Sequence, residues 1–222
     1  MSRPLIIAID GPSGAGKSTL GRMLARELGL LYIDTGSMYR AVALAVIEST
    51  INETDGVAVG SLAERIDIDL TGDPDSLHVT LDGRDVSDRI RSEDVTNISS
   101  IISTIPAVRR AMVERQRELA RRGAVMNGRD IGTVVFPDAD VKFFLTAALE
   151  ERAERRLAEE REHNPVAAYE QTLIDIKERD LRDTTRVDSP LVAAADAIMI
   201  DSTGQPIEEV FQRMMEEVEK RS

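Results

Sequence analysis

The sequence predicts an α/β fold, a parallel sheet of about five strands flanked by helices and interrupted by a small antiparallel β-containing insertion. Three observations predict it. Short, almost unbroken apolar runs alternate with segments of helical period, the pattern of strands covered on both faces by helices. The first of these runs, Leu5-Ile6-Ile7-Ala8-Ile9-Asp10, leads straight into Gly11-Pro12-Ser13-Gly14-Ala15-Gly16-Lys17-Ser18-Thr19. From about Thr50 to Ser92 the period changes to two, which belongs to strands with one wet face.

The glycine-rich run is the element around which the others are arranged. Leu20, Met23, Leu24 and Leu28 follow it as one face of a helix, with Gly29 at the stop position. A strand, a glycine-rich loop and Lys-Ser opening a helix form the context of a Walker A loop, so the sheet is expected to be of the P-loop NTPase type. Glycines let backbone N–H groups close around phosphate oxygens, and the helix N-terminus adds positive partial charge. Lys17 can reach the β- and γ-phosphates of a nucleotide, and the Ser18 hydroxyl can ligate Mg²⁺.

Leu30-Leu31-Tyr32-Ile33-Asp34 reads as a second buried strand, and Ser37 is expected to cap a helix carrying Met38, Ala41, Val42, Ala45 and Val46. Arg40 lies off that apolar stripe and is free to face a site at the carboxyl ends of the strands, where open α/β sheets bind ligands. A short helix from Val57 to Arg65 precedes two period-two strands, Ile66 to Thr71 and Leu77 to Asp82, with a further turn at Asp82-Gly83-Arg84. This stretch does not suit a parallel core and reads as an inserted subdomain, residues 50–92. Helices follow over Ser92–Thr104 and Pro106–Arg122, then strands at Gly123–Asn127, Val141–Leu145 and Ala197–Asp201. The charged stretch Glu150–Glu162 is helical with Glu151 and Arg155 four apart, Ala167–Asp180 is helical, and Pro206–Lys220 closes the chain.

The 222 residues suit one domain with an appended piece. A formal net charge of −12 leaves no general positive field, so nucleic acid is not the expected partner. A small anionic substrate remains open if arginines gather at one place. There is no cysteine, hence neither a disulfide nor a thiolate metal site, and His78 and His163 are too isolated to form a ligand motif and read as surface residues. Met1-Ser2-Arg3-Pro4 runs directly into the first strand without a signal peptide, and no apolar stretch approaches the roughly 20 residues of a membrane span. The expectation is a soluble, cytoplasmic protein with no membrane partner.

Phosphate binding alone does not define a reaction. A GTPase would carry Asn-Lys-x-Asp and a transporter-type ATPase Leu-Ser-Gly-Gly, and neither is present. Present instead are arginines at predicted strand ends and loops: Arg40, Arg129, Arg179, Arg182 and Arg186. Phosphoryl transfer between two nucleotides crowds negative charge together and calls for forked, permanently charged donors.

Four stretches, Gly11 to Thr19, Asp34-Thr35-Gly36-Ser37-Met38-Tyr39-Arg40, Gly128-Arg129-Asp130-Ile131-Gly132-Thr133-Val134-Val135-Phe136-Pro137 and Ile176 to Arg186, together resemble bacterial cytidylate kinase. The resemblance covers essentially the whole chain. It implies transfer of the γ-phosphoryl group of ATP to CMP or dCMP with Mg²⁺, by a monomer acting in pyrimidine nucleotide metabolism. It further implies that the insertion is a monophosphate-binding subdomain and that residues from about 148 to 186 form a helical lid. By resemblance Arg40 and Arg129 hold the acceptor phosphate, and Thr35, Arg109, Asp130 and Arg186 surround the cytosine. Ser100, Arg179 and Asp183 contact the sugar, and Arg155 and Arg156 close over ATP. Lys17, Arg129, Arg40 and Arg186 are then the candidate catalytic residues.

Two positions depart from that pattern. Asn127 stands where an acidic residue is usual, which removes a charge from the support of Mg²⁺, and Thr35 stands where serine is common, which keeps the hydroxyl. A P-loop kinase for UMP or another small acceptor, and an ATP-dependent switch or assembly protein, remain the alternative readings.

Overall fold

A computed structural model describes residues 4–161 and 164–221. Met1-Ser2-Arg3, read as running into the fold without a leader, and Glu162 and His163, read as a helix end and a surface residue, lie outside them. Five parallel strands form the main sheet: β1 (Ile6–Asp10), β2 (Leu31–Asp34), β6 (Ala124–Gly128), β7 (Val141–Thr146) and β8 (Ile198–Asp201), in the order β2-β6-β1-β7-β8. Every residue of β1 is buried. Ile6 and Ala8 join one apolar cluster and Ile7 and Ile9 the other, as the period of a strand covered on both faces requires.

On the second face lie α1 (Lys17–Leu28) and α8 (Ile207–Glu219), whose Leu20, Leu24, Val210 and Met214 pack with Ile7 and Ile9. The first face is covered by α2 (Thr35–Glu48), α4 (Glu93–Ile102) and α5 (Pro106–Leu119). Its cluster continues into the insertion, where α3 (Gly56–Arg65) precedes an antiparallel sheet of β3 (Ile68–Thr71), β4 (His78–Leu81) and β5 (Arg84–Asp85). Ile68, Leu70, Val79 and Leu81 point inward from it, while Asp69 and Thr71 are exposed, the alternation predicted from period two. His78 is exposed and pairs with Asp85. The chain returns through α6 (Leu149–Arg161) and α7 (Tyr169–Thr185).

Three local features differ from the sequence reading. Helix α2 begins at Thr35 and is capped by Asp34, whose carboxylate accepts from Gly36 N at 3.0 Å. Ser37, expected to be the cap, instead donates its hydroxyl to Asp34. Helix α7 runs on to Thr185, five residues past the predicted end, which puts Arg179 and Asp183 one turn apart on one face. Residues Ile131–Val135 form a single π-helical turn closed by Phe136 N to Ile131 O at 2.7 Å, a backbone device with no residue signature. No helix among the described residues is long and apolar enough to cross a membrane.

Candidate active site

The chain moves from β1 outward to β2, returns to β6, then crosses β1 to reach β7 and β8. The carboxyl ends of β1 and β6 therefore open side by side where the winding reverses, the place where such sheets bind ligands. Gly11 to Thr19 leaves β1 there. Gly14 has φ 75°, and a Cβ on it would stand 2.6 Å from the carbonyl oxygen of Arg152, so only glycine lets this loop lie against α6.

Lys17 is buried, and its ammonium donates to Pro12 O at 2.6 Å. Burial lowers its proton affinity well below that of an ordinary lysine, and the charges of Arg129 and Arg179 lower it further. Arg179 is itself brought down to about 9 by burial and by Arg129. Cations are thus concentrated against their own repulsion at the mouth of the phosphate loop.

Beyond β6, Arg129 donates to Asp183 at 2.7 Å, and Asp130 pairs with Arg109 and, at 3.8 Å, with Arg186. Burial favours the neutral form of Asp183, but Arg129 and Arg179 outweigh it and hold its carboxyl below the ordinary value. Arg109 also donates to Ser103 O at 3.1 Å and lies 5.9 Å from the ring centre of Tyr39. Arg186 donates to Ser189 O at 2.7 Å. Across the cleft, Arg40 donates to Asp34 at 3.1 Å and to the Ser37 hydroxyl at 2.8 Å. Thr35 donates its hydroxyl to Asn127 O at 2.8 Å. Ser100 accepts from Arg182 Nε at 3.1 Å.

The fold therefore gathers Lys17, Arg129, Arg179 and Asp183 into one charged group, and Asp130, Arg109 and Arg186 into a second group joined to it through Asp183. Four buried guanidinium nitrogens, Arg40 Nε, Arg109 Nε, Arg179 Nε and Arg186 Nη2, have no hydrogen-bond partner among the described residues. Leaving such donors unpaired costs about 1–3 kcal/mol each. A ligand rich in acceptor oxygens and negative charge removes that cost.

The two arginines expected over ATP are placed differently from one another. Arg155 donates to Ser202 Oγ and O at 3.1 and 3.0 Å, and its Nη1 comes within 3.8 Å of where a Cβ on Gly16 would be. Arg156 is paired with Glu159 and Glu160 of its own helix, although its charge still reaches Arg179. Sequence reasoning passed over Arg152, which donates to Ser13 O at 3.0 Å and pairs with Asp180 at 2.7 Å. It also passed over Asp34 as the partner of Arg40. A carboxylate ending a strand just before a helix was the available signal for the latter.

For a hard cation the donor set is oxygen. Asn127 Nδ2 donates to Ser18 Oγ at 3.2 Å, and Asn127 Oδ1 is buried without a partner. Among the described residues no cluster of three His, Cys, Asp or Glu is arranged to hold a metal alone. The residues fit a magnesium ion brought by its nucleotide and met by the Ser18 hydroxyl and the Asn127 amide oxygen.

A phosphate loop at the centre of a parallel sheet, faced by buried arginines with free N–H groups, defines a P-loop phosphotransferase. A solved structure of an uncharacterized protein from Eubacterium ventriosum shares the fold at a TM-score of 0.52 with 11% identity, covering 98% of this chain and 99% of that one. The profile of the cytidylate kinase family matches residues 7–220. The chain is 50% identical over 222 residues to the cytidylate kinase of Desulforamulus reducens, covering 99% of each. It is 49% identical over 214 residues to that of Pelotomaculum thermopropionicum, covering 96% of this chain and 95% of that one. The chain belongs to the cytidylate kinase family.

Proposed function

We propose that the protein transfers the γ-phosphoryl group of ATP to CMP or dCMP, releasing ADP and CDP or dCDP, as a cytoplasmic monomer. The observation that carries this reading is the set of buried arginine N–H groups without a hydrogen-bond partner among the described residues, together with the similarity to cytidylate kinases. Backbone N–H groups of Gly14 to Thr19 cradle the donor phosphates, and Lys17 exchanges Pro12 O for phosphate oxygens. Arg40 and Arg129 hold the acceptor phosphate. Asp130, Arg109 and Arg186, with Thr35, read the base, while Ser100, Arg179 and Asp183 face the sugar.

The acceptor phosphate is already anionic at neutral pH, so no general base is required and the residues act by orientation and charge stabilisation. The Ser18 hydroxyl and the Asn127 amide oxygen would hold Mg²⁺, which would supply neutralisation of the donor's phosphate charge. Residues 50–92 act as the monophosphate-binding subdomain and residues 148–186 as a lid that excludes water, with Arg155 and Arg156 closing over ATP.

Cytosine offers an amine donor beside a ring-nitrogen acceptor, which suits a carboxylate beside a guanidinium. Uracil reverses both groups. The test is incubation with ATP, Mg²⁺ and a panel of monophosphates while ADP is followed. CMP and dCMP should be the preferred acceptors, and equal use of UMP, or ADP release independent of any acceptor, would sink the reading.

A further inference from the structure

Asp10 belongs to none of the groups above, yet it is a carboxylate buried at the junction of all of them. It is the last residue of β1, is 4% exposed, and is followed directly by Gly11 of the phosphate loop. Through its backbone it pairs in register with Gly128, the last residue of β6. Through its side chain it accepts from Ile131 N, at Oδ1, and from Gly132 N, at Oδ2, each at 2.8 Å. These two N–H groups open the π-helical turn Ile131–Val135, where donors otherwise lack partners, so Asp10 caps that turn from another strand.

The residues between the two attachments are Arg129 and Asp130. Asp10 thus brackets them, holding the chain before them by strand pairing and after them by its carboxylate. A Cβ on Gly132 would stand in ordinary contact, 3.4 Å, with Asp10 Oδ2 and 3.1 Å from Lys142 Cδ, so the carboxylate lies packed against the turn it caps. The turn is closed on its other side by Val134 N and Val135 N donating to Asp130 O at 2.9 and 3.2 Å. With the backbone held at both ends, the Arg129 and Asp130 side chains leave it in fixed directions, toward Asp183 and toward Arg109.

We infer that Asp10 is a positioning residue for the acceptor nucleotide: its carboxylate sets the Arg129–Asp130 segment and so aligns acceptor phosphate and base with the phosphate loop that Asp10 also begins. It touches neither nucleotide. An aspartate serves better than an asparagine because both oxygens must accept, whereas an amide would turn a donor toward one of the two N–H groups.

The inference rests on the proposed CMP reading, and the experiment separates the two. Calorimetric binding of CMP and of ADP, with steady-state kinetics, is compared for the wild type and Asp10→Asn, a near-isosteric change, with circular dichroism as the control for folding. Amide exchange at Ile131 and Gly132 is measured on the same two proteins. The expected result is faster exchange at those two amides, about tenfold or more weakening of CMP binding, a raised KM for CMP and a narrowed preference over UMP, with ADP binding within about twofold of wild type. A wild type that does not bind CMP would refute the substrate reading and, with it, an alignment of that acceptor. A wild type that binds CMP while Asp10→Asn binds it equally well would refute the role of Asp10 alone. Equal weakening of CMP and ADP would also refute it, because Asp10 would then be supporting the sheet as a whole. Should Asp10→Asn fail to fold, the wild type decides: its Ile131 and Gly132 amides should be protected from exchange and gain protection with CMP but not with ADP, and free exchange at the two, or an equal gain with both nucleotides, would overturn the inference.

Discussion

Replacing Asp130 by asparagine tests both the stability and the selectivity of the arginine group. Asp130, Arg109 and Arg186 are 6%, 2% and 8% exposed, so the carboxylate is the buried counter-charge to two guanidinium groups. Asn keeps the volume and removes the charge. Taking one partner from a buried ion pair costs about 3–5 kcal/mol, and for a chain of this size each kcal/mol lowers Tm by about 2–4 °C. Asp130→Asn should therefore melt roughly 6–20 °C below wild type. In the loaded enzyme, the amide can present either its oxygen or its NH₂ to a base, so it accepts from cytosine or donates to uracil. One mispaired hydrogen bond to a charged group is worth about 1.5–3 kcal/mol, so the CMP-to-UMP ratio of kcat/KM should fall by roughly 10- to 150-fold. Thermal denaturation without nucleotide and steady-state kinetics with each monophosphate measure the two effects. A variant melting within about 2 °C of wild type, or an unchanged CMP-to-UMP ratio, would refute the reasoning.

Lys17→Ala should keep the fold, because among the described residues the ammonium's hydrogen bond is to Pro12 O in its own loop, and should lower turnover by roughly 10²–10³ or more; near-normal turnover would remove the phosphate loop from the reaction. Asn127→Asp should lower the Mg²⁺ concentration giving half-maximal rate and tighten Mg²⁺-dependent ATP binding measured by calorimetry, whereas no shift, or a shift upward, would show that this position does not support the ion. Asp10 gives a pH signature: burial pushes its carboxyl up to about 6 from 3.8, with Asp130 adding to the rise while the Ile131 and Gly132 N–H groups and Lys17 oppose it. A raised carboxyl stabilises the fold fully below its unfolded pKa and loses that contribution as pH rises through about 6. Denaturant unfolding should thus show Asp10→Asn gaining about 2 kcal/mol on wild type between about pH 4.5 and 7.5. A difference constant with pH would mean the carboxyl is not raised.

Features whose physical cause is local were legible in the chain itself. An apolar run, a glycine loop and Lys-Ser opening a helix specify β1, the phosphate loop and α1, because strand burial, backbone freedom and helix polarity all act within a few residues. The period-two segment likewise announced an antiparallel sheet, and Pro106 marked the start of α5. Where two residues competed for one local role, the larger structure chose. Asp34 caps α2 in place of Ser37 because the β2–β6 pairing runs to Asp34 and the helix starts at once. Resemblance named the residues of the candidate site; their meeting was settled only in three dimensions. Arg109 meets Asp130 across 21 residues, Arg129 meets Asp183 across 54, and Ile131 meets Asp10 across 121. Those contacts depend on the order in which parallel strands assemble, and no spacing along the chain encodes it. Asp10 went unnoticed for the same reason: at the end of a buried strand it reads as the strand's last residue, and only the placement of β6 beside β1 brings it the two N–H groups it holds.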